Sequence, residues 1–252
     1  MLPSVNKDDR LWFIKKQIGG VSRFVDIARD HCETFRLIIE SVSREERLRL
    51  LWMDDCFRTL AVKHVETFRM LLQSVSSDEI LQILQIKDWS GQTVLYRAAC
   101  MPVTEGIDML KMIMQSIRSD ERLHLLQLED DYGMTTLHHA ACVSATNITE
   151  VILESVSEEE RYVLLRTLDS CKYTPIQLAC FHKPRSLDGT IRLITEETWY
   201  RALLVPDGRG YTPLHVSAYR GQTKVIKSVS NSLSAQHLSC LLRNTDRVGH
   251  TP

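Results

Sequence analysis

The sequence predicts an all-α fold, a helical repeat solenoid with three helices in each repeat. Two periodic signals and a resemblance between two N-terminal segments predict it. The first signal is an aspartate that leads into a threonine-headed tetrapeptide: Asp88 to Thr93-Val-Leu-Tyr, Asp130 to Thr135-Thr-Leu-His, Asp169 to Thr174-Pro-Ile-Gln, Asp207 to Thr212-Pro-Leu-His, and Asp246 to Thr251-Pro252. These threonines step by 42, 39, 38 and 39 residues. A period in this range marks stacked supersecondary units, each too small to bury its apolar face alone. The second signal lies between the first. Ser43, Ser76, Ser119, Ser157, Thr195 and Ser234 each precede charged or polar positions and then an apolar pair, with an aspartate 11 or 12 residues on.

The first helix of each repeat is expected from the threonine motif through a pair of small residues, as in Thr135 to Cys142. Ala98 and Ala99, Ala140 and Ala141, Ala179 and Ala218 let neighbouring helices approach closely. The second helix is expected through segments such as Ile107 to Ile117 and Ile148 to Val156, where apolar residues recur at helical spacing. The third is the hydroxyl-led segment. Ser43 with Glu46, Ser76 with Glu79, and Ser157 with Glu160 fit the capping box, in which each partner satisfies an amide left free at a helix start. The same letters resemble an acid-directed kinase site. Recurrence at one register, directly ahead of amphipathic residues, favours the cap; the phosphorylation state of Ser43, Ser76 and Ser157 is left open. The leucine pairs Leu125 and Leu126, Leu164 and Leu165, Leu203 and Leu204, and Leu241 and Leu242 are expected to pack on the second helix.

The N-terminal part carries a worn form of the same plan. His31 to Ser43 matches His64 to Ser76 at an offset of 33 residues. Residues 1–20 are expected to form a capping helix, from about Asp8 to Ile18 and ended by Gly19-Gly20. Residues 21–87 then form two degenerate repeats, and residues 88–252 four full repeats plus the start of a fifth. Because the sequence stops inside the fifth motif, a longer natural chain is expected.

Composition limits the function. Apolar residues make up 44% and charged residues 25%, with 10 Gly and 7 Pro, so little of the chain reads as disordered. The net charge is −1 with both signs interspersed, which argues against nucleic acid as a partner. Seven cysteines without paired spacing read as reduced thiols of a cytoplasmic or nuclear protein. The apolar run Leu11 to Ile14 is too short for a membrane span, and no membrane insertion is expected. A monomer is expected.

The pattern D-x-x-G-x-T-P-L-H-x-A-A, followed by a helix ending in a leucine pair, resembles the ankyrin repeat family. Asp207 to Ala218 carries it most clearly and Asp130 to Cys142 next. The resemblance covers residues 88–252 well and 21–87 weakly. Asp88 to Cys100 departs from it with Val94 for the proline and Tyr96 for the histidine. Asp169 to Cys180 has Lys172 for the glycine and Gln177 for the histidine, so its turn and polar link are expected to be weaker. The period exceeds the 33 residues usual in that family, and the capped third helix stands where the family has a short loop. Gly91, Gly133, Gly210 and Gly249 suit a tight turn, and Pro175, Pro213 and Pro252 suit a first helical turn. The resemblance implies that His138 and His215 tie neighbouring turns together through both ring nitrogens.

None of those roles needs a reactive group. No catalytic, metal or cofactor site is expected. His138-His139-x-x-Cys142 with Cys180-x-His182 is the most ligand-like cluster, yet the motif already accounts for His138, and the cysteines recur because the repeat does. No phosphate-binding loop, nucleophile elbow or zinc-protease motif occurs. The resemblance implies instead that a partner protein is gripped by the turn tips and the adjoining face of the first helix. Carried over by position, the partner-binding residues are Trp89, Gln92, Tyr132, Met134, Tyr173, Arg209, Tyr211 and Tyr219, and Trp89, Tyr132, Tyr173, Arg209, Tyr211 and Tyr219 are of types enriched in interface hot spots. The same aromatics could instead pack on the next turn and stiffen the stack, and the longer third helices could displace the usual face. The expected function is a non-enzymatic scaffold or adaptor. The alternative is the recognition arm of a larger enzyme, a kinase or ubiquitin-ligase adaptor, with its catalytic part beyond residue 252.

Overall fold

The computed structural model describes residues 32–45, 65–101, 103–143, 146–182 and 187–252. The expected capping helix over 1–20 lies outside them, as does Glu46 of the expected Ser43–Glu46 box. Among the described residues there are fifteen α-helices and no strand. The chain divides into two compact units, Met1–Asp88 and Trp89–Pro252.

In the first unit, α1 (Cys32–Ser41) and α2 (Val65–Ser74) are the two matching segments, and they pack on one another. Helix α3 (Ser77–Leu84) follows, opened by a complete capping box. The Ser76 N–H donates to Glu79 Oε2 at 3.1 Å, and the Glu79 N–H donates to Ser76 Oγ at 3.4 Å.

The second unit repeats a three-helix plan. The first helices are α4 (Val94–Cys100), α7 (Thr136–Val143), α10 (Pro175–His182) and α13 (Pro213–Tyr219). The second helices are α5 (Val103–Ser116), α8 (Thr146–Glu154), α11 (Leu187–Leu193) and α14 (Thr223–Ser232). The third helices are α6 (Ser119–Leu126), α9 (Glu158–Arg166), α12 (Glu196–Leu203) and α15 (Ala235–Leu242). The longest threonine step is taken up by α5, which has 14 residues where α8 has 9.

Like packs on like. Each first helix contacts the next first helix, each second helix the next second, and α6, α9 and α12 follow the same rule. The small-residue pairs make this approach possible: Ala98, Ala99, Ala140, Ala141 and Ala179 are buried, beside Leu95, Leu137, Ile176 and Leu214. Burying each such leucine contributes about 1.5–3 kcal/mol.

The third helices are fastened by devices that the leucine pattern does not reveal. Arg122 donates to the Ser155 carbonyl at 3.1 Å. One turn position equivalent, Arg161 donates through Nε to the Leu153 carbonyl at 2.7 Å and through a terminal nitrogen to the Leu193 carbonyl. At the matching place in α12, Trp199 donates its indole N–H to Ser232 Oγ at 3.1 Å. The carbonyls reached lie at or just beyond the C-terminal ends of second helices, where free carbonyls and the helix dipole favour a cation. Successive third helices are also capped by one another. Glu158 accepts from the Thr195 N–H at 2.9 Å, and Glu196 accepts from the Ser234 N–H at 2.7 Å.

Two expectations need correction here. Helix α6 begins at Ser119, so its N-cap is Arg118; only half a box forms, with Glu121 accepting from the Arg118 N–H and guanidinium. In α12 the buried pair is Ala202 and Leu203, with Leu204 at the C-cap, because the helix register is set by Thr195. In α15 only Leu241 is buried; Leu242 is exposed. Among the described residues no helix is long and apolar enough to cross a membrane.

Candidate partner-binding surface

The turns ahead of α7, α10 and α13, and the turn at Asp246, are closed by their aspartates. Asp130 Oδ1 accepts from the amides of Tyr132 and Met134, both at 2.9 Å. Asp207 Oδ1 does the same for Arg209 and Tyr211 at 2.8 Å, and Asp246 Oδ1 for Val248 and His250. The aspartates are buried, so each carboxylate is an internal strut. At Asp246, burial favours the neutral acid, but the amides of His250 and Val248 outweigh it and hold the carboxyl below its ordinary range.

The turns then touch in series. The Asp131 N–H donates to the Ser90 carbonyl at 3.3 Å, and the Ser170 N–H to the Tyr132 carbonyl at 3.0 Å. Gly133 has φ +69°, and a Cβ there would stand 2.7 Å from the Ser170 nitrogen. Glycine is needed for both reasons, conformation and close approach. Lys172 occupies the matching place in the next turn, in the same left-handed region at φ 68°. Facing it is Gly208, where a Cβ would stand 3.4 Å from the Lys172 Cβ. At this joint the glycine has crossed to the opposite side of the contact.

A buried polar link joins each repeat to the next. His138 Nδ1 accepts from the Thr135 amide at 3.1 Å and lies 2.8 Å from the Thr135 hydroxyl. Its Nε2 lies 3.1 Å from the Tyr173 carbonyl. Since Nδ1 accepts an amide proton, the ring is neutral with its proton on Nε2. Burial lowers the pKa of His138, in keeping with that tautomer. His215 repeats the arrangement between Thr212 and the His250 carbonyl.

Gln177 does not weaken the link. Its Oε1 accepts from the Thr174 amide at 2.7 Å, and its Nε2 donates to the carbonyls of Tyr211 at 2.6 Å and Val205 at 3.3 Å. An amide offers the same acceptor-and-donor pair as a neutral imidazole. The loss falls at Tyr96 instead. Its hydroxyl reaches the next turn, accepting from the Asp130 N–H at 3.0 Å, but it leaves Thr93 Oγ1 buried without a partner.

Against this fixed frame, the proposed contact residues divide. Trp89 is 81% exposed, Tyr132 69% and Tyr219 87%. Arg209 is exposed as well, while Gln92, Met134, Tyr173 and Tyr211 are half-buried. The Tyr211 ring lies 5.9 Å from that of His215, so this tyrosine also braces the turn. Tyr173, Arg209, Tyr211 and Tyr219 come together around a groove of about 380 Å³, with Phe181 and Val216 on its wall. Trp89, Gln92, Tyr132 and Met134 do not line it. The Arg220 guanidinium lies 3.9 Å over the Phe181 ring, a contact the sequence pattern does not reveal.

The ligand-like cluster is already engaged. His138 is bound as above, and His139 pairs with Asp130 Oδ2 at 3.1 Å. Cys180 is buried, and burial pushes its thiol up to about 12 and that of Cys142 up to about 11. Protonated thiols are poor nucleophiles and poor metal ligands. Among the described residues no group of three or more His, Cys, Asp or Glu side chains is arranged to hold a metal ion. No protein-family model matches the chain, and no curated protein matches it either.

Proposed function

We propose that this chain is a protein-interaction module of ankyrin-like type, a solenoid with an added third helix in each repeat. It would grip a partner protein with its turn tips and the adjoining ends of its first helices. The like-on-like packing of first, second and third helices supports the solenoid reading. One observation carries the functional reading: Trp89, Tyr132 and Tyr219 are large, exposed and mounted on backbone that is already fixed. Exposed aromatics on a rigid frame bury area on binding at a small ordering cost. We place the module in the cytoplasm or nucleus, acting as a monomer and without catalysis of its own.

The test replaces Trp89, Tyr132 and Tyr219, one at a time, with a photo-crosslinking benzoylphenylalanine in the chain's own cells. A fourth chain carries it at Arg166 on the third helix α9. One discrete partner should be cross-linked from the first three positions and not from the fourth. Cross-linking from the third helix alone, or from none, would contradict the reading.

A further inference from the structure

We propose that Ser157, the N-cap of α9, is a phosphorylation site for an acid-directed protein kinase. A serine with a glutamate three residues on is the spacing of a capping box and also of such a kinase motif. At Ser157 the run Glu158, Glu159 and Glu160 follows directly. Ser76 with Glu79 has the same spacing, and the structure separates the two.

At Ser76 the motif is closed. The Ser76 hydroxyl donates to Glu79 Oε2 at 3.0 Å, and Glu79 itself is buried, out of an enzyme's reach. At Ser157 the hydroxyl and the acidic run are both accessible. Ser157 and Glu159 are exposed, and Glu158 and Glu160 are half-buried. Ser157 Oγ accepts from the Glu160 N–H at 3.4 Å, and among the described residues its own proton meets no acceptor.

The neighbouring third helices explain why that hydroxyl is open. Thr195, the N-cap of α12, is covered by Glu158, the first residue of α9, which accepts from its amide at 2.9 Å and its hydroxyl at 3.0 Å. Ser234, the N-cap of α15, has Glu196, the first residue of α12, on its amide at 2.7 Å. The corresponding cover for Ser157 would come from α6, which packs on α9. The first residue of α6 is Ser119, which has no carboxylate, and the Ser157 amide donates instead to Glu160 of its own helix at 2.8 Å. The register of α6 thus leaves a hydroxyl uncovered ahead of three glutamates.

In the transfer, Ser157 Oγ forms a bond to the γ-phosphorus of ATP while the bond from that phosphorus to the bridging oxygen breaks. ADP leaves, and the hydroxyl proton passes to the kinase's catalytic aspartate. The Ser157 backbone is already extended, at φ −70° and ψ 167°, and helix ends fray, so the segment can enter a kinase cleft. The product suits its place. A phosphate oxygen can accept from the Glu160 N–H as Oγ does now, at a helix start that favours an anion.

The experiment incubates the full chain with γ-labelled ATP and a purified serine kinase that requires a carboxylate three residues after its target. Mass spectrometry maps the phosphate, and free peptides of residues 70–85 and 150–165 serve as unfolded references. In the folded chain Ser157 should be modified within about ten-fold of the rate in its peptide, and Ser76 should fall further behind its own. Ser119→Glu, which puts a carboxylate where α9 has Glu158, should slow modification of Ser157 about three-fold or more. Glu160→Gln, which keeps a residue able to complete the box, should slow it about ten-fold or more. Unchanged urea midpoints would show that both variants fold. An unmodified Ser157, modification of Ser76 in preference, or indifference to either substitution would each overturn the proposal. Faster modification of the Glu160→Gln chain would overturn it too, since cap strength and not the acidic run would then govern the site.

Discussion

Trp199, on the third helix α12, is 1% exposed, and its indole N–H reaches Ser232 on the neighbouring second helix. Trp89, on the turn ahead of α4, is 81% exposed. The two stand in the same repeated plan, and the difference follows from what surrounds each. Trp199, four residues past the Thr195 cap, faces the C-terminal end of α14, where its indole N–H finds an acceptor. The Trp89 turn meets the next turn through its backbone, with the Ser90 carbonyl accepting from the Asp131 N–H, and leaves the indole in solvent. On the proposed reading, stability and recognition fall to different layers of one repeat.

The largest effect that could break this division is at Trp199. Trp199→Ala should cost about 3–5 kcal/mol through the cavity and the lost donor. An unfolding free energy in urea lowered by less than a tenth of that would mean the third helices are dispensable to the stack. The next effect concerns the polar link. His138 has a pKa lowered by burial, so the unfolded chain binds its proton more readily than the folded one. That contribution to stability is complete above about pH 6.5 and falls, by at most about 1.4 kcal/mol per pH unit, as pH drops below it. His139 is shifted in the same direction by the same cause. His138→Gln, which copies the working geometry of Gln177, should keep stability at pH 7.5 and flatten the fall between pH 6.5 and 5.5. An unchanged slope would show that this histidine is not the group responsible.

Smaller again is Lys172→Gly. It should stabilise by about 1 kcal/mol, because a left-handed backbone costs an L-residue roughly that much. Destabilisation would mean that the Lys172 stem packs against Gly208 more tightly than its strain costs.

The order of these effects also shows what could be read beforehand. Helix type and starts were legible because caps are local: Ser76 with Glu79 and Ser157 with Glu160 stand three residues apart, and both boxes form. The recurrence of the aspartates was legible too, whereas their acceptance of two amides within the turn is seen only in the structure. The fastening of third helices was not, because Arg161 and Leu193, or Trp199 and Ser232, stand about a repeat apart in sequence, and nothing in either segment names the other. The equivalence of Gln177 and His138 was missed because it lies in donor and acceptor geometry rather than in residue identity. The tip tyrosines follow from position, whereas Arg220 meets Phe181 only because α13 ends beside it.

The smallest expected effect on folding is the most direct test of the division between layers. Urea unfolding of Trp89→Ala should superimpose on that of the unaltered chain, within about 0.5 kcal/mol, as expected for an exposed side chain. The same variant should lose the partner captured by cross-linking at Tyr132. A midpoint depressed as far as that of Trp199→Ala would contradict the account, since Trp89 would then belong to the frame and not to the surface that the frame presents.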